Sequence, residues 1–281
     1  MRTAVLGATG FIGRALVPVL AERGEVVGVS RSGNMPEGRR VRAVAADATD
    51  ATAVRDALEG VSVLYYLIHS LGSANFEEVD RQAAETVARE AERAEVSQIV
   101  YLGGLGDDES SLSPHLRSRA STAAALSAGD VAVTTLRAAV VVGRGSAGFE
   151  TIVALVDRLP LMIAPKWVST PTQPIALVDV VGYLAGVAGH RETIGETFDL
   201  GGPEVLTYRE MIERIGRLRG HKPRIIEVPV LSPRLSSYWL HLVTPVRASV
   251  ARPLVEGLRN PTLARDDRIR RLFPRTLFPF E

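Results

Sequence analysis

Seven residues near the N-terminus, Gly7-Ala8-Thr9-Gly10-Phe11-Ile12-Gly13, limit the folds open to this chain more than any other stretch. They follow a short apolar run, Thr3–Leu6, and lead into a helical repeat over Phe11–Arg23, with Ile12, Ala15, Leu16, Val19 and Leu20 on one face. A strand–glycine turn–helix at the start of a βαβ unit suits a diphosphate. Gly7 allows the tight turn, and Gly10 lets an anion approach the backbone. Gly13 lets the helix lie close to the sheet, and the helix start offers free N–H groups and a positive dipole end. Glycine turns are common, so the flanking strand and helix carry the weight of this reading.

The next residues extend the pattern. Strands are expected at Glu25–Val29, Val41–Ala45, Val61–Ile68, Gln98–Leu102 and Val131–Leu136. Helices are expected at Thr52–Leu58, Glu77–Ala94 and His115–Ser127. This alternation predicts an α/β fold, a Rossmann-type doubly wound parallel sheet, whose ligand lies beyond the carboxyl ends of the strands. A dinucleotide-binding domain over 1–145 is followed by a smaller, mostly helical C-terminal lobe over 146–281, with some segments returning to the sheet. In that lobe, helices are expected at Phe149–Leu159, Asp179–Val187, Ser232–Val243 and Pro253–Arg259, and a strand at Ile225–Val230. Thr207-Tyr208-Arg209-Glu210 has capping-box spacing ahead of a helix to about Arg219.

Composition removes several function classes. With 281 residues, 46% hydrophobic and 23% charged, the chain is a packed protein rather than a disordered one. It has no cysteine, which excludes disulfides, thiolate metal sites and cysteine nucleophiles. A net charge of +1 gives no field to draw nucleic acid, and no nucleic-acid partner is expected. No apolar run approaches the roughly 20 residues of a membrane span, and the N-terminus has a glycine loop where a signal peptide needs an apolar core. A cytoplasmic protein is expected. No metal site is expected, because the histidines lack ligand spacing. The arginines from Arg247 to Arg275 read as a solvated surface.

The end of the second strand, Val29-Ser30-Arg31-Ser32, discriminates between cofactors. NAD-binding folds usually place an acid there for the ribose hydroxyls. Arg31 instead offers a planar fork to a 2′-phosphate, with Ser30, Ser32 and Arg14 nearby. NADP(H) is therefore expected over NAD(H), with NAD(H) still possible. Thr9, Phe11 and Ile12 complete the turn that faces the diphosphate. Asp47 and Ala48 follow the third strand; Asp47 either reaches the adenine edge or serves as a helix cap or turn former. Leu67, Ile68 and His69 follow the fourth strand and pass along the cofactor, with His69 either toward the nicotinamide or satisfied by backbone.

These features resemble the short-chain dehydrogenase/reductase superfamily, and more narrowly its atypical, NmrA-like NAD(P)H-binding members. The glycine loop, Asp47, Leu67–Ser70 and Leu136-Arg137-Ala138-Ala139-Val140 carry the likeness. So do Tyr101-Leu102-Gly103-Gly104-Leu105, His115-Leu116-Arg117-Ser118-Arg119, Pro165-Lys166-Trp167, Gln173-Pro174-Ile175 and Gly201-Gly202-Pro203-Glu204. The resemblance implies an oxidoreductase but also exposes a departure. Typical members use a Tyr-x-x-x-Lys pair, and none occurs here. His115 and Arg119 stand at its place, and Gly103-Gly104 at the place of the serine. His115 titrates near neutrality and is competent as a proton donor, or else it is a structural residue at a helix start. Arg119 stays charged and can hold a ribose hydroxyl or phosphate. Tyr101 is the other hydroxyl nearby, either catalytic or core.

Three functions follow as expectations: an NADP(H)-dependent reductase of a small apolar carbonyl, quinone or enone; a non-catalytic NADP(H)-sensing regulator; or an NADPH-carrying accessory subunit of a membrane-associated complex. Met162, Trp167, Tyr208, Tyr238 and Trp239 either line the substrate pocket or form the second lobe's core. Leu235–Val243 is amphipathic and could serve a homodimer or a peripheral membrane contact.

Overall fold

The computed structural model describes residues 1–70, 75–106, 113–228 and 257–281. Strands β1 (Arg2–Leu6), β2 (Glu25–Ser30), β3 (Val41–Ala45), β4 (Val63–Tyr66), β5 (Gln98–Gly104) and β6 (Val133–Ala138) alternate with four helices. These are α1 (Phe11–Arg23), α2 (Ala51–Ala57), α3 (Phe76–Arg93) and α4 (Pro114–Leu126). Beyond them lie β7 (Val141–Val142), α5 (Ala147–Arg158), β8 (Leu161–Pro165), β9 (Pro171–Thr172), β10 (Ile175–Ala176) and α6 (Leu177–Val187). Then come β11 (Thr197–Leu200), β12 (Leu206–Thr207), α7 (Tyr208–Leu218), β13 (Arg224–Val228) and a short helix at Arg268–Leu272.

The main sheet runs β11-β6-β5-β4-β1-β2-β3, and each neighbouring pair is parallel. The strands are apolar on both faces because helices cover both. Ala4, Leu6, Leu64, Tyr66 and Ile99 pack on one face with Val54, Ala83, Val87 and Leu126 from α2, α3 and α4. Val5, Val63, Tyr65 and Val100 pack on the other with Leu16 and Leu20 of α1 and Val180 and Leu184 of α6. Strand order reverses between β1 and β4, so the loops after them part and leave a crevice.

The second lobe has its own core, in which Met162, Met211, Ile212 and Tyr208 are buried and Trp167 packs against them. Trp167 meets Tyr208 edge to face, centroids 6.1 Å apart. Tyr238, Trp239, the expected helix at Ser232–Val243 and most of the one at Pro253–Arg259 lie outside the described residues. The capping box forms at α7: the Thr207 N–H donates to Glu210 (2.6 Å) and the Glu210 N–H to the Thr207 hydroxyl (3.2 Å).

Most of the described tail arginines are exposed, as expected of a solvated surface, yet three of them also bind the rest of the fold. Arg270 donates to the carbonyls of Gly201 (2.8 Å) and Gly202 (2.7 Å), and Arg275 to the carbonyl of Asp179 (3.1 Å). The Arg268 guanidinium lies 4.9 Å from the Phe198 ring centroid. These arginines stitch residues 268–275 onto β11 and α6, a role that charge counting along the chain does not reveal. Among the described residues no helix is long and apolar enough to cross a membrane, and no cluster of His, Asp or Glu could hold a metal ion.

Candidate functional site

A cavity of about 1000 Å³ lies over the carboxyl ends of the strands at the reversal point. Its floor is the glycine turn. The N–H groups of Gly7 and Ala8 both donate to the Val29 carbonyl, at 3.0 and 3.1 Å, and the Gly10 N–H donates to Gly7 at 2.9 Å. These bonds tie the turn to β2 and fix where α1 begins. Gly7 has φ +90°, and a Cβ there would stand 2.9 Å from the Leu67 carbonyl oxygen. A Cβ on Gly13 would stand 2.3 Å from the Gly7 oxygen and 2.7 Å from the Ala8 Cα. Gly10 is the N-cap of α1 and no side chain caps it. The first-turn N–H groups of α1 are thus left for a ligand in a wall made by Gly7, Thr9, Gly10, Phe11, Ile12 and Gly13. An uncapped helix start beside a turn packed this closely on its own backbone fits a diphosphate.

Ser30, Arg31, Asp47 and Ala48 form the next part of the wall. The Ser30 hydroxyl accepts the Gly33 N–H (3.1 Å) and the Ser32 hydroxyl accepts the Asn34 N–H (3.3 Å). Both serines shape the turn that displays the exposed Arg31. Ser32 and Arg14 lie outside the wall, and Arg14 is exposed on α1. Asp47 accepts the Thr49 hydroxyl (2.7 Å) and N–H (2.9 Å). These bonds, the hydroxyl first, hold its carboxyl below the usual range, and the Arg31 charge adds to them. Of the two roles considered for Asp47, the turn is the one its hydrogen bonds make, within the cavity wall. The cap of α2 is Asp50.

Leu67, Ile68, His69 and Ser70 continue the wall past β4. Arg119 reaches it from α4, with Leu102 to Leu105 and Leu116 alongside. His115 stands in the first turn of α4, and its side chain lies outside the described part. Tyr101 is placed differently from a catalytic hydroxyl. It is buried in the core and absent from the wall, and its hydroxyl donates to the Arg119 carbonyl (3.0 Å). Its ring meets Tyr66 edge to face at 6.1 Å. Burial pushes both phenols above the ordinary tyrosine range.

Sequence reading missed Asp80. It is buried on α3, where its carboxylate accepts the Ser118 hydroxyl (3.2 Å). Burial raises its carboxyl, against the pull of Ser70, Ser118 and the Arg119 charge. One signal was available: Asp80 shares the stripe of Ala83, Ala84, Val87 and Ala91, where an acid has no ordinary place. Sequence reading also missed a polar patch in the cavity wall. Tyr208 and Thr262 line it, Thr172 and Thr262 share a hydroxyl hydrogen bond of 2.7 Å, and burial pushes the Tyr208 phenol up to about 12.

Fold and site together define a Rossmann-type α/β protein whose crevice is lined in part by residues beyond 145. A model of the family described as NAD(P)H-binding matches residues 7–150, slightly more than half of the chain, and the protein belongs to that family. It is 26% identical over 239 residues to the mitochondrial NADH dehydrogenase [ubiquinone] 1 alpha subcomplex subunit 9 of Arabidopsis thaliana. That match covers 80% of this chain and 60% of the plant subunit, so the chain spans about three-fifths of that relative's length. A nucleoside-diphosphate-sugar epimerase from Staphylococcus aureus has the same fold, with a TM-score of 0.81 at 16% identity over 100% of this chain and 98% of that one. So does a triphenylmethane reductase from Citrobacter sp. in complex with NADP(H), with a TM-score of 0.76 at 18% identity over 99% and 97%.

Proposed function

We propose that this protein is an NADP(H)-dependent reductase of a small, largely apolar carbonyl, quinone or enone. The observation that carries the reading is the division of the cavity wall. Its nucleotide end has the uncapped start of α1 and Arg31. Its other end has Leu105, Leu116, Val140, Val141 and Leu258, with Arg119 as the cation there among the described residues. An apolar wall takes an apolar acceptor and excludes water. A bound reduced nicotinamide supplies a hydride; the chain orients the acceptor and provides a proton. Arg119 offers the N–H donors of its guanidinium to sugar hydroxyls. His115, opening α4, is the proposed proton donor.

Cofactor choice is tested at Arg31. A guanidinium–phosphate bond is charge-assisted, so Arg31→Ala should weaken NADPH binding by about ten- to a hundredfold and leave NADH nearly unchanged. Equal losses for the two cofactors, measured by calorimetry, would remove the case for a 2′-phosphate site.

Turnover is tested by following the nicotinamide absorbance of NADPH with a panel of quinones, enones and carbonyls. Consumption with at least one acceptor, lost in His115→Ala, is the expected result. Tight binding with no consumption across the panel would leave a sensing regulator or a carrier. The carrier reading, an NADPH-holding accessory subunit, is supported by the likeness to the plant NADH dehydrogenase subunit. It expects a stable partner chain to co-purify.

A further inference from the structure

Two buried acids on α3 are treated very differently. Glu90 has both carboxylate oxygens paired, with Arg55 at 2.7 Å and Arg93 at 2.6 Å. That is how a structural acid completes its bonds. Asp80, nearly three turns earlier on the same helix, is 3% exposed, and only its Oδ2 has a partner. Its Oδ1, the Arg119 Nε and the Tyr66 hydroxyl are all buried without a hydrogen-bond partner among the described residues. These three groups form one cluster. Contacts tie them together: Asp80 accepts from Ser118, the neighbour of Arg119 on α4, and the Tyr66 ring meets Tyr101, whose hydroxyl donates to the Arg119 carbonyl. Of these three residues, Arg119 also lines the cavity.

Leaving three polar atoms short in one buried place is costly, and a protein that needed only packing would place apolar groups there. The guanidinium itself is half in the core and half in the cavity wall. Such a group needs an opposite charge behind it and a fixed angle in front, because a fork of N–H donors selects its acceptor by orientation.

We propose that Asp80 is a positioning residue for Arg119: from the seam between α3 and α4 its carboxylate balances the guanidinium and sets the angle at which Arg119 meets the sugar hydroxyls on the nicotinamide side of the cofactor. The proposal rests on the reading that NADP(H) occupies the cavity. It also accounts for a cation in an otherwise apolar part of the wall. With the Asp80 charge behind it, Arg119 brings hydrogen-bond donors there with part of its charge offset, which suits an uncharged acceptor.

The test uses the full chain and two probes. NADPH carries the whole cofactor. 2′,5′-ADP carries the adenine half and the 2′-phosphate but neither the nicotinamide nor its ribose. Asp80→Asn keeps the shape and removes the charge. It should weaken NADPH about tenfold and leave 2′,5′-ADP within about twofold, since only the first probe reaches Arg119. In an Arg119→Met background, Asp80→Asn should cause no further loss of NADPH affinity. Equal weakening of both probes, no weakening of either, or an undiminished effect in the Arg119→Met background would each overturn the proposal. If Asp80→Asn does not fold, Ser118→Ala takes its place, because it removes the hydroxyl that holds Asp80 and keeps both charges. NADPH should then weaken about threefold with 2′,5′-ADP unchanged, and unaltered NADPH affinity would overturn the proposal. Parent protein that binds neither probe would refute the cofactor reading itself. Parent protein that binds both, with variants that match it, would refute only the role of Asp80.

Discussion

A Gly13→Val variant melts on the order of 5–10 °C below the parent chain and shows no rise in melting temperature with NADPH. The smallest side chain at that position already fails, with its Cβ 2.3 Å from the Gly7 carbonyl oxygen and 2.7 Å from the Ala8 Cα. Both contacts are backbone, so no rotamer change relieves them. Either α1 lifts from the sheet or the turn opens. The first option breaks the packing of Leu16 and Leu20 against Val5 and Val63. The second pulls Gly7 from the Val29 carbonyl, to which it donates at 3.0 Å. Overpacking of this kind costs about 1–3 kcal/mol, with more for a branched side chain on a helix so tightly seated. The ligand effect is separate: saturation at a hundred times Kd stabilises a protein by about 2.7 kcal/mol, and a displaced turn forfeits that. A variant that keeps the parent affinity for NADPH would show that the diphosphate is held elsewhere.

Asp179→Ala should cost about 1–3 kcal/mol in stability while leaving cofactor affinity close to the parent value. Asp179 is fully buried near the start of α6 and lies outside the cavity wall. Its Oδ2 accepts the Phe278 N–H at 2.9 Å, and its Oδ1 faces the Arg275 guanidinium at 3.7 Å. Arg275 in turn lies over the Tyr183 ring, 5.3 Å from its centroid, and rests where a Cβ on Gly182 would otherwise be. Removing the carboxylate leaves the Phe278 N–H without its acceptor and takes a counter-charge from Arg275, which is partly exposed and keeps its bond to the Asp179 carbonyl. Equilibrium unfolding in urea measures the loss. A change below about 1 kcal/mol would mean that the tail is held by apolar contacts, Phe273 and Leu277 against α6, and not by this pair.

Much of the nucleotide half was legible from local chemistry. The glycine turn, the bounds of α1 and β3, and the place of Arg31 follow from residue types whose backbone preferences and periods are strong. The sheet was legible because strands covered on both faces are continuous apolar runs, as in Val63–Tyr66. Three features were not, each for a physical reason. Tyr101 belongs to the core because its hydroxyl finds a backbone carbonyl on α4, a contact across 18 residues that no local pattern announces. The turn role of Asp47 is set by Thr49, two residues on, and its place in the wall by the fold. The strand Thr197–Leu200 is four residues long and carries Asp199, which reads as a loop until Arg137 pairs with it at 2.6 Å from the neighbouring strand. Asp80 was visible as an acid on an apolar stripe, but its relation to Arg119 depends on how α3 and α4 pack.

The place of β11 decides what this chain can be cut into. It pairs in parallel with β6 along Thr197–Leu200, although some sixty residues of second lobe intervene. Severing the polypeptide after residue 150 would therefore give an amputated sheet whose β6 edge shows bare N–H and C=O groups, a template for self-association. The upper lobe is thus not an interchangeable cassette. Any rearrangement that swaps it for another must bring along a strand to seal that flank, so new specificity is more readily reached by substitution within the lobe than by grafting.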